Sequence, residues 1–117
     1  MAFLDNAIQA HGKWKVKLMA AVKREEIPDR STAGNDLACD LGKWIHGEGG
    51  RLYGGLPEFQ KMQAAHKRFH TAVGKILDLV KAEKMEQARH EIEEGEFQTA
   101  SREVSFQICQ LKAHVKE

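Results

Sequence analysis

Apolar residues recur at steps of three and four along most of the chain. Between Phe3 and Glu26 they fall at Leu4, Ile8, His11, Leu18 and Val22, with Ala7, Trp14 and Ala21 beside them. That spacing predicts an amphipathic helix, ended by Pro28 and followed by polar connector chemistry from Asp29 to Thr32. A shorter second helix follows, with Asn35 or Asp36 as N-cap, a stripe of Leu37, Leu41 and Trp44–Ile45, and Gly47 as C-terminal cap. Five glycines between Gly47 and Gly55 predict a loop on backbone-entropy grounds. It lacks the Gly-Lys-Ser/Thr ending and the preceding strand of a phosphate-binding loop.

Pro57 suits the first turn of a third helix, with Glu58 near its positive end. Phe59, Met62, His66, Phe69–His70, Val73, Ile76–Leu77 and Val80 carry its stripe for about six turns, and Lys81 to Lys84 form the exit. The fourth segment places apolar residues at Met85, Ala88 and Ile92, then at Phe97, Ala100, Val104, Ile108, Leu111 and Val115. The five-residue step from Ile92 to Phe97 contains Gly95 and predicts a kink, bulge or short break. The pattern as a whole predicts an all-α fold: an antiparallel four-helix bundle, its second helix shorter, with a glycine-rich loop before the third. Residues 1–117 read as one domain.

Composition narrows the function classes. A chain of 117 residues can bury about two-thirds of its unfolded surface without staples. Its 18 basic and 17 acidic residues nearly cancel, which removes the electrostatic reason to expect nucleic acid or an anionic membrane as partner. No run approaches the ~20 apolar residues of a membrane span, and Asp5 and Asn6 interrupt any signal-peptide pattern in Met1 to Ala10. Cys39 and Cys109 are too few for a disulfide framework. A soluble, cytoplasmic protein is the expectation.

The histidines are placed unusually. His66 and His70 stand at i and i+4 on the third helix, one turn apart on the same face, and both lie on its apolar stripe. His11 lies on the stripe of the first helix. A buried imidazole needs partners for both nitrogens, and a shared cation would satisfy three at once. The sequence His66-Lys67-Arg68-Phe69-His70 has no glutamate after the first histidine, which excludes the zinc-protease motif. Cys39 has two readings at this point, a small buried hydrophobe or a fourth ligand. Three imidazoles and a thiolate would form a closed tetrahedral set for which zinc is the default.

Read in order, the residues are His11-Gly-Lys-Trp14, Cys39-Asp40-Leu41-Gly42-Lys43-Trp44 and His66-x-x-x-His70. The stretch from about Asn6 to Val73 resembles the chemoreceptor zinc-binding (CZB) domain found in bacterial chemoreceptors and diguanylate cyclases. Its phrases Ala-His-x-x-Trp-Lys and Cys-x-Leu-Gly-Lys-Trp-Ile-His-Gly-Glu-Gly are specific, and every motif position is filled. The last helix carries no such signature. The resemblance implies a helical bundle holding one zinc ion through His11, Cys39, His66 and His70. It further implies a regulatory role toward a neighbouring signalling output domain, sensing zinc or, through the zinc-bound thiolate of Cys39, oxidants such as hypochlorous acid. Many members of the family dimerise, so a homodimer is expected.

A fourth protein ligand leaves no position for substrate, and no Gly-x-Ser-x-Gly elbow or acid–base pair accompanies the histidines. The chain is therefore expected not to be an enzyme. Oxidising Cys39 would weaken one ligand, and the short second helix between its polar and glycine-rich connectors has room to shift. Asp36 and Asp40 flank Cys39 and are either carboxylate partners of the ligating histidines or solvated surface groups. Trp14 and Trp44 are expected to pack and fix the helices. His46 reads as a helix cap, His90 and His114 as solvent-facing, Cys109 as a structural thiol, and Glu91, Glu93, Glu94 and Glu96 as a solvated acidic face. Two other classes fit a histidine-bearing helical core. An oxygen-binding di-iron bundle of the hemerythrin type needs bridging carboxylates on inner faces. A metal-free dimerisation bundle uses its histidines only for packing.

Overall fold

The computed structural model describes residues 2–114, and every regular element among them is helical. The first arm consists of α1 (Ala2–Gly12) and α2 (Trp14–Val22). They meet at Lys13, whose backbone stays near helical values while its N–H still reaches the Gln9 carbonyl at 3.1 Å. The predicted single helix to Glu26 is thus interrupted once and ends four residues early. Arg24 adopts a left-handed φ of 61°, and the N–H groups of Arg24 and Glu25 turn back to the carbonyls of Ala21 and Ala20. This is a Schellman closure, which satisfies the last carbonyls of α2 before Pro28 is reached.

The next arm is not one short helix but four pieces. α3 (Arg30–Ala33) is a single turn capped by Asp29. A 3-10 turn over Asp36–Ala38 is capped by Asn35, whose Oδ1 accepts from Leu37 N–H at 3.0 Å. Cys39 is extended, and α4 (Asp40–Ile45) follows it. α5 (Glu48–Tyr53) then occupies the segment expected as a glycine-rich loop. No glycine among the described residues has a positive φ, so these glycines do not serve as left-handed turn formers. Gly49 shows their use: a Cβ there would lie 2.5 Å from the Trp44 ring, so the ring rests directly on the backbone of α5. Leu37, expected on an apolar stripe, is exposed.

α6 (Pro57–Lys81) follows the prediction from its N1 proline to its exit. At 25 residues it is roughly 37 Å long at 1.5 Å per residue, most of the 45 Å long axis of the molecule. α7 (Met85–Glu94) and α8 (Glu96–Lys112) are separated by the extended residue Gly95, the break that the five-residue apolar step predicts. Val115 lies outside the described residues. Cys109, expected as a structural thiol, is exposed.

Ion pairs give the directions of the arms. Asp5 pairs with Lys112, and Glu58 Oε2 lies 3.3 Å from His114 Nε2, which gathers the starts of α1 and α6 with the end of α8. At the other end, Arg24 meets Glu83 at 3.0 Å and Arg30 meets Asp78 at 2.9 Å. The α1–α2 arm and α6 therefore run one way, and α7–α8 runs the other. The core between them holds Leu4, Leu18, Met62, Phe69, Ile76 and Ile108, all fully buried. Burying each such side chain contributes roughly 1.5–3 kcal/mol, enough to fix α6 against both neighbouring arms. That rigid wall carries His66 and His70.

Candidate metal centre

His11, His66 and His70 are buried and Cys39 is half-buried, and their ligand-type atoms all lie within 4.8 Å of one another. His66 Nε2 is 3.1 Å from Cys39 Sγ and 3.1 Å from His70 Nε2. A tetrahedral zinc with bonds of roughly 2.0–2.3 Å separates its ligand atoms by roughly 3.3–3.8 Å, a range that falls between the 3.1 Å of these two pairs and the 4.8 Å limit of the set. The donors come from three arms. α1 brings His11, α6 brings the two histidines one turn apart, and the break between the 3-10 turn and α4 brings Cys39.

The tautomers follow from the carbonyls around the rings. His11 Nδ1 is 2.8 Å from the Ala7 carbonyl and His70 Nδ1 is 2.8 Å from the Ala33 carbonyl. A carbonyl only accepts, so both Nδ1 atoms carry the proton and both Nε2 lone pairs face the cluster. His11 Nε2 is buried there without a hydrogen-bond partner. One N–H on His66 Nε2 cannot serve both the sulfur and His70. A buried lone pair with no donor is costly, and a cation shared by all four atoms removes that cost. The residues present therefore fit a zinc ion, and the absence of any carboxylate from this set does not fit a carboxylate-bridged di-iron centre.

Protonation states agree with the fit. Burial pushes His11 down to about 4, against the hydrogen bond to Ala7, with His70 adding a little. Burial pushes His66 down to about 2, helped by neighbouring His70, His11 and His46. Burial also lowers His70, opposed by the Ala33 hydrogen bond. All three rings are thus neutral at pH 7, the form that binds metal. Burial raises the Cys39 thiol, opposed by the N–H groups of Gly42 and Leu41, so metal binding must displace its proton.

Cys39 is held by the turn it terminates. As N-cap of α4 its sulfur accepts from Gly42 N–H at 3.3 Å, and its S–H points to the Asp36 carbonyl at 3.6 Å. Gly42 is needed here because a Cβ would lie 1.7 Å from that carbonyl oxygen. The motif position was visible in the sequence, but this reason for it was not.

The polar partners of the rings are not the expected ones. The second nitrogens of His11 and His70 go to backbone carbonyls, not to Asp36 or Asp40. Asp36 instead places Oδ2 3.9 Å from His46 Nε2, while Asp40 is exposed. Ala7 and Ala33 carry no sequence signal, because a carbonyl is common to every residue. His46 caps the end of α4. His90 and His114 are exposed and pair with Glu94 and Glu58. Trp44 packs among Phe3, Tyr53 and Phe59, with ring centroids 5.6–6.0 Å apart. Trp14 is half-buried and carries the Lys17 ammonium 4.6 Å above its ring. It lines an open groove of about 490 Å³ whose walls also include buried His11, half-buried Cys39 and exposed Asp40, so the groove reaches the edge of the donor cluster.

A family model described as chemoreceptor zinc-binding domain matches residues 11–77, a span that contains all four donors. Comparison with curated proteins and with solved structures returns no match.

Proposed function

The chain belongs to the chemoreceptor zinc-binding domain family, and from that membership we propose a sensory and regulatory module of bacterial signalling whose responsive atom is the Cys39 sulfur. The carrying observation is the position of that sulfur. It lies within the metal-ligand cluster, 3.1 Å from His66 Nε2, and belongs to a half-buried residue that lines the groove beside Trp14. Bound zinc would keep this sulfur as a thiolate at neutral pH despite its burial.

The sulfur can then give two electrons to an oxidant such as hypochlorous acid, RS⁻ + HOCl → RSOH + Cl⁻, leaving a sulfenic acid. The oxidised sulfur is a poorer donor and a poorer acceptor for Gly42 N–H. Because Cys39 joins the 3-10 turn to α4, loss of that hold loosens the segmented arm while α6 remains fixed by its core. Loss of zinc itself would release the same arm, which makes zinc availability the second signal the site can report.

Four protein donors leave no open position for a substrate, which supports a non-catalytic role. A homodimer and a neighbouring signalling output domain in the cytoplasm complete the proposal on the strength of the family. No described helix is long and apolar enough to cross a membrane.

Elemental analysis of the purified wild type beside Cys39→Ala and His70→Ala tests the site. Near-stoichiometric zinc that falls in both variants is expected, and a folded wild type that takes up no added zinc would leave only a packing bundle. Treating wild type and Cys39→Ser with hypochlorous acid tests the sensing role. Zinc release from wild type alone is expected, and equal responses would refute the redox reading.

A further inference from the structure

Beyond its Asp29 cap, α3 has little local support. It is one turn long, too short to persist without packing, yet its last residue, Ala33, supplies the carbonyl that accepts the hydrogen bond from His70 Nδ1–H. A side chain at its start ties it down. Arg30 reaches across α6 to Asp78, with Nε 2.9 Å from Oδ1 and Nη2 3.3 Å from Oδ2. Two parallel bonds constrain the angle of the guanidinium as well as its distance.

The backbone leaves room for this side chain on both sides. A Cβ on Gly74 would lie 2.7 Å from the guanidinium carbon, and one on Gly34 would lie 2.3 Å from Nη1. His70, Gly74 and Asp78 succeed one another at four-residue steps, so one stripe of α6 carries the ligand, the bare surface and the anchor. The two charged side chains are 52% and 59% exposed, and an exposed pair adds little stability. Its main consequence is where it puts α3.

We propose that Arg30 and Asp78 are positioning residues for the metal centre. By holding α3 across Gly74 they keep the Ala33 carbonyl on His70 Nδ1, which fixes the tautomer of that ring and aims its Nε2 at the other donors. The proposal rests on the zinc-binding reading of the four-residue cluster.

The test uses the whole chain, as wild type, Asp78→Asn, Arg30→Lys and Gly74→Ala, with two readouts. Zinc affinity is measured by competition with a chromophoric chelator, and the His70 tautomer is read from long-range ¹⁵N spectra of the metal-free protein. Each variant is expected to bind zinc about 10-fold more weakly, the lower end of effects on groups that orient a ligand. The His70 nitrogen signals should move toward a mixture of tautomers while those of His11 hold. Gly74→Ala displaces the guanidinium without changing any charge, so agreement with Asp78→Asn separates geometry from electrostatics. Wild-type affinity in the variants overturns the proposal, as does weaker binding with unmoved His70 signals. A wild type that binds no zinc sinks the zinc reading and this proposal with it. Zinc-replete wild type beside unaffected variants sinks this proposal alone.

Discussion

Gly42 and the Asp36 carbonyl are packed so closely that a methyl group on Gly42 would sit 1.7 Å from the carbonyl oxygen. The same added methyl would lie 3.3 Å from His66 Cε1, and the N–H of Gly42 is bonded to the Cys39 sulfur. One residue without a side chain thus lets the 3-10 turn, α4 and α6 meet at the metal site. Gly42→Ala is expected to destabilise the protein by roughly 1–3 kcal/mol, as overpacking does, and to weaken zinc binding more than 10-fold. Chelator competition and chemical denaturation check this. A dissociation constant within about twofold of wild type would show that the turn can move aside.

Zinc removal should lower stability and do so by mass action. Free zinc at 100 times its dissociation constant adds about 2.7 kcal/mol to a protein that binds it only when folded. The melting temperature of the wild type is therefore expected to fall on chelation and to return with added zinc, while Cys39→Ala responds much less. A melting temperature indifferent to chelator in the wild type would favour the metal-free packing bundle.

The stability of the metal-free protein should fall as pH drops below about 6.5. His11 and His66 have folded values depressed to about 4 and about 2 by burial, so the unfolded chain binds protons that the folded chain refuses. Their stabilising contribution is fully present above the unfolded value and is lost as pH falls toward the folded one. Each such histidine contributes a slope of up to ~1.4 kcal/mol per pH unit. Urea denaturation of the apoprotein between pH 7 and pH 5 measures it, with His66→Ala expected to show a shallower slope. Equal slopes in the two proteins would mean that His66 takes up protons while folded.

Arg24 and Glu83 are the non-glycine residues with left-handed φ among the described residues, at 61° and 63°, and they pair with each other at 3.0 Å. Each is the residue beyond a helix end, where glycine avoids the strain a Cβ creates. The pair is exposed on both sides and contributes little in return. Glu83→Gly is expected to raise stability by about 0.5–1 kcal/mol with zinc affinity unchanged, read by thermal and chemical denaturation. Destabilisation would show that the ion pair outweighs the backbone strain.

The candidate site was legible in the sequence to the extent that its chemistry resides in side chains at regular spacing. His66 and His70 fall on one face of a helix because 3.6 residues make a turn, and their place on the apolar stripe implies burial. His11 was marked in the same way. Cys39 was not, because nothing in its local spacing separates a ligand from a small buried residue. Its assignment required the motif around it.

The long arms are also written in the sequence. The stripe from Phe59 to Val80, Pro57 at its start and the five-residue step at Gly95 are local signals, and local hydrogen bonding and amphipathicity obey them directly. The segmented arm from Arg30 to Tyr53 is different. There the five glycines from Gly47 to Gly55 read as a loop, and nothing local assigned a role to Gly42 or, on α6, to Gly74, since composition reports the entropy of a missing Cβ but not what fills its place. Only the tertiary structure shows the Trp44 ring against Gly49, the Asp36 carbonyl against Gly42 and the Arg30 guanidinium against Gly74. The Ala7 and Ala33 carbonyls that orient the histidines likewise belong to no residue type. Periodicity and donor identity were properties of the sequence itself. Which bare backbone another group would occupy, and which carbonyl would face a ring, were decided by close packing between segments distant along the chain.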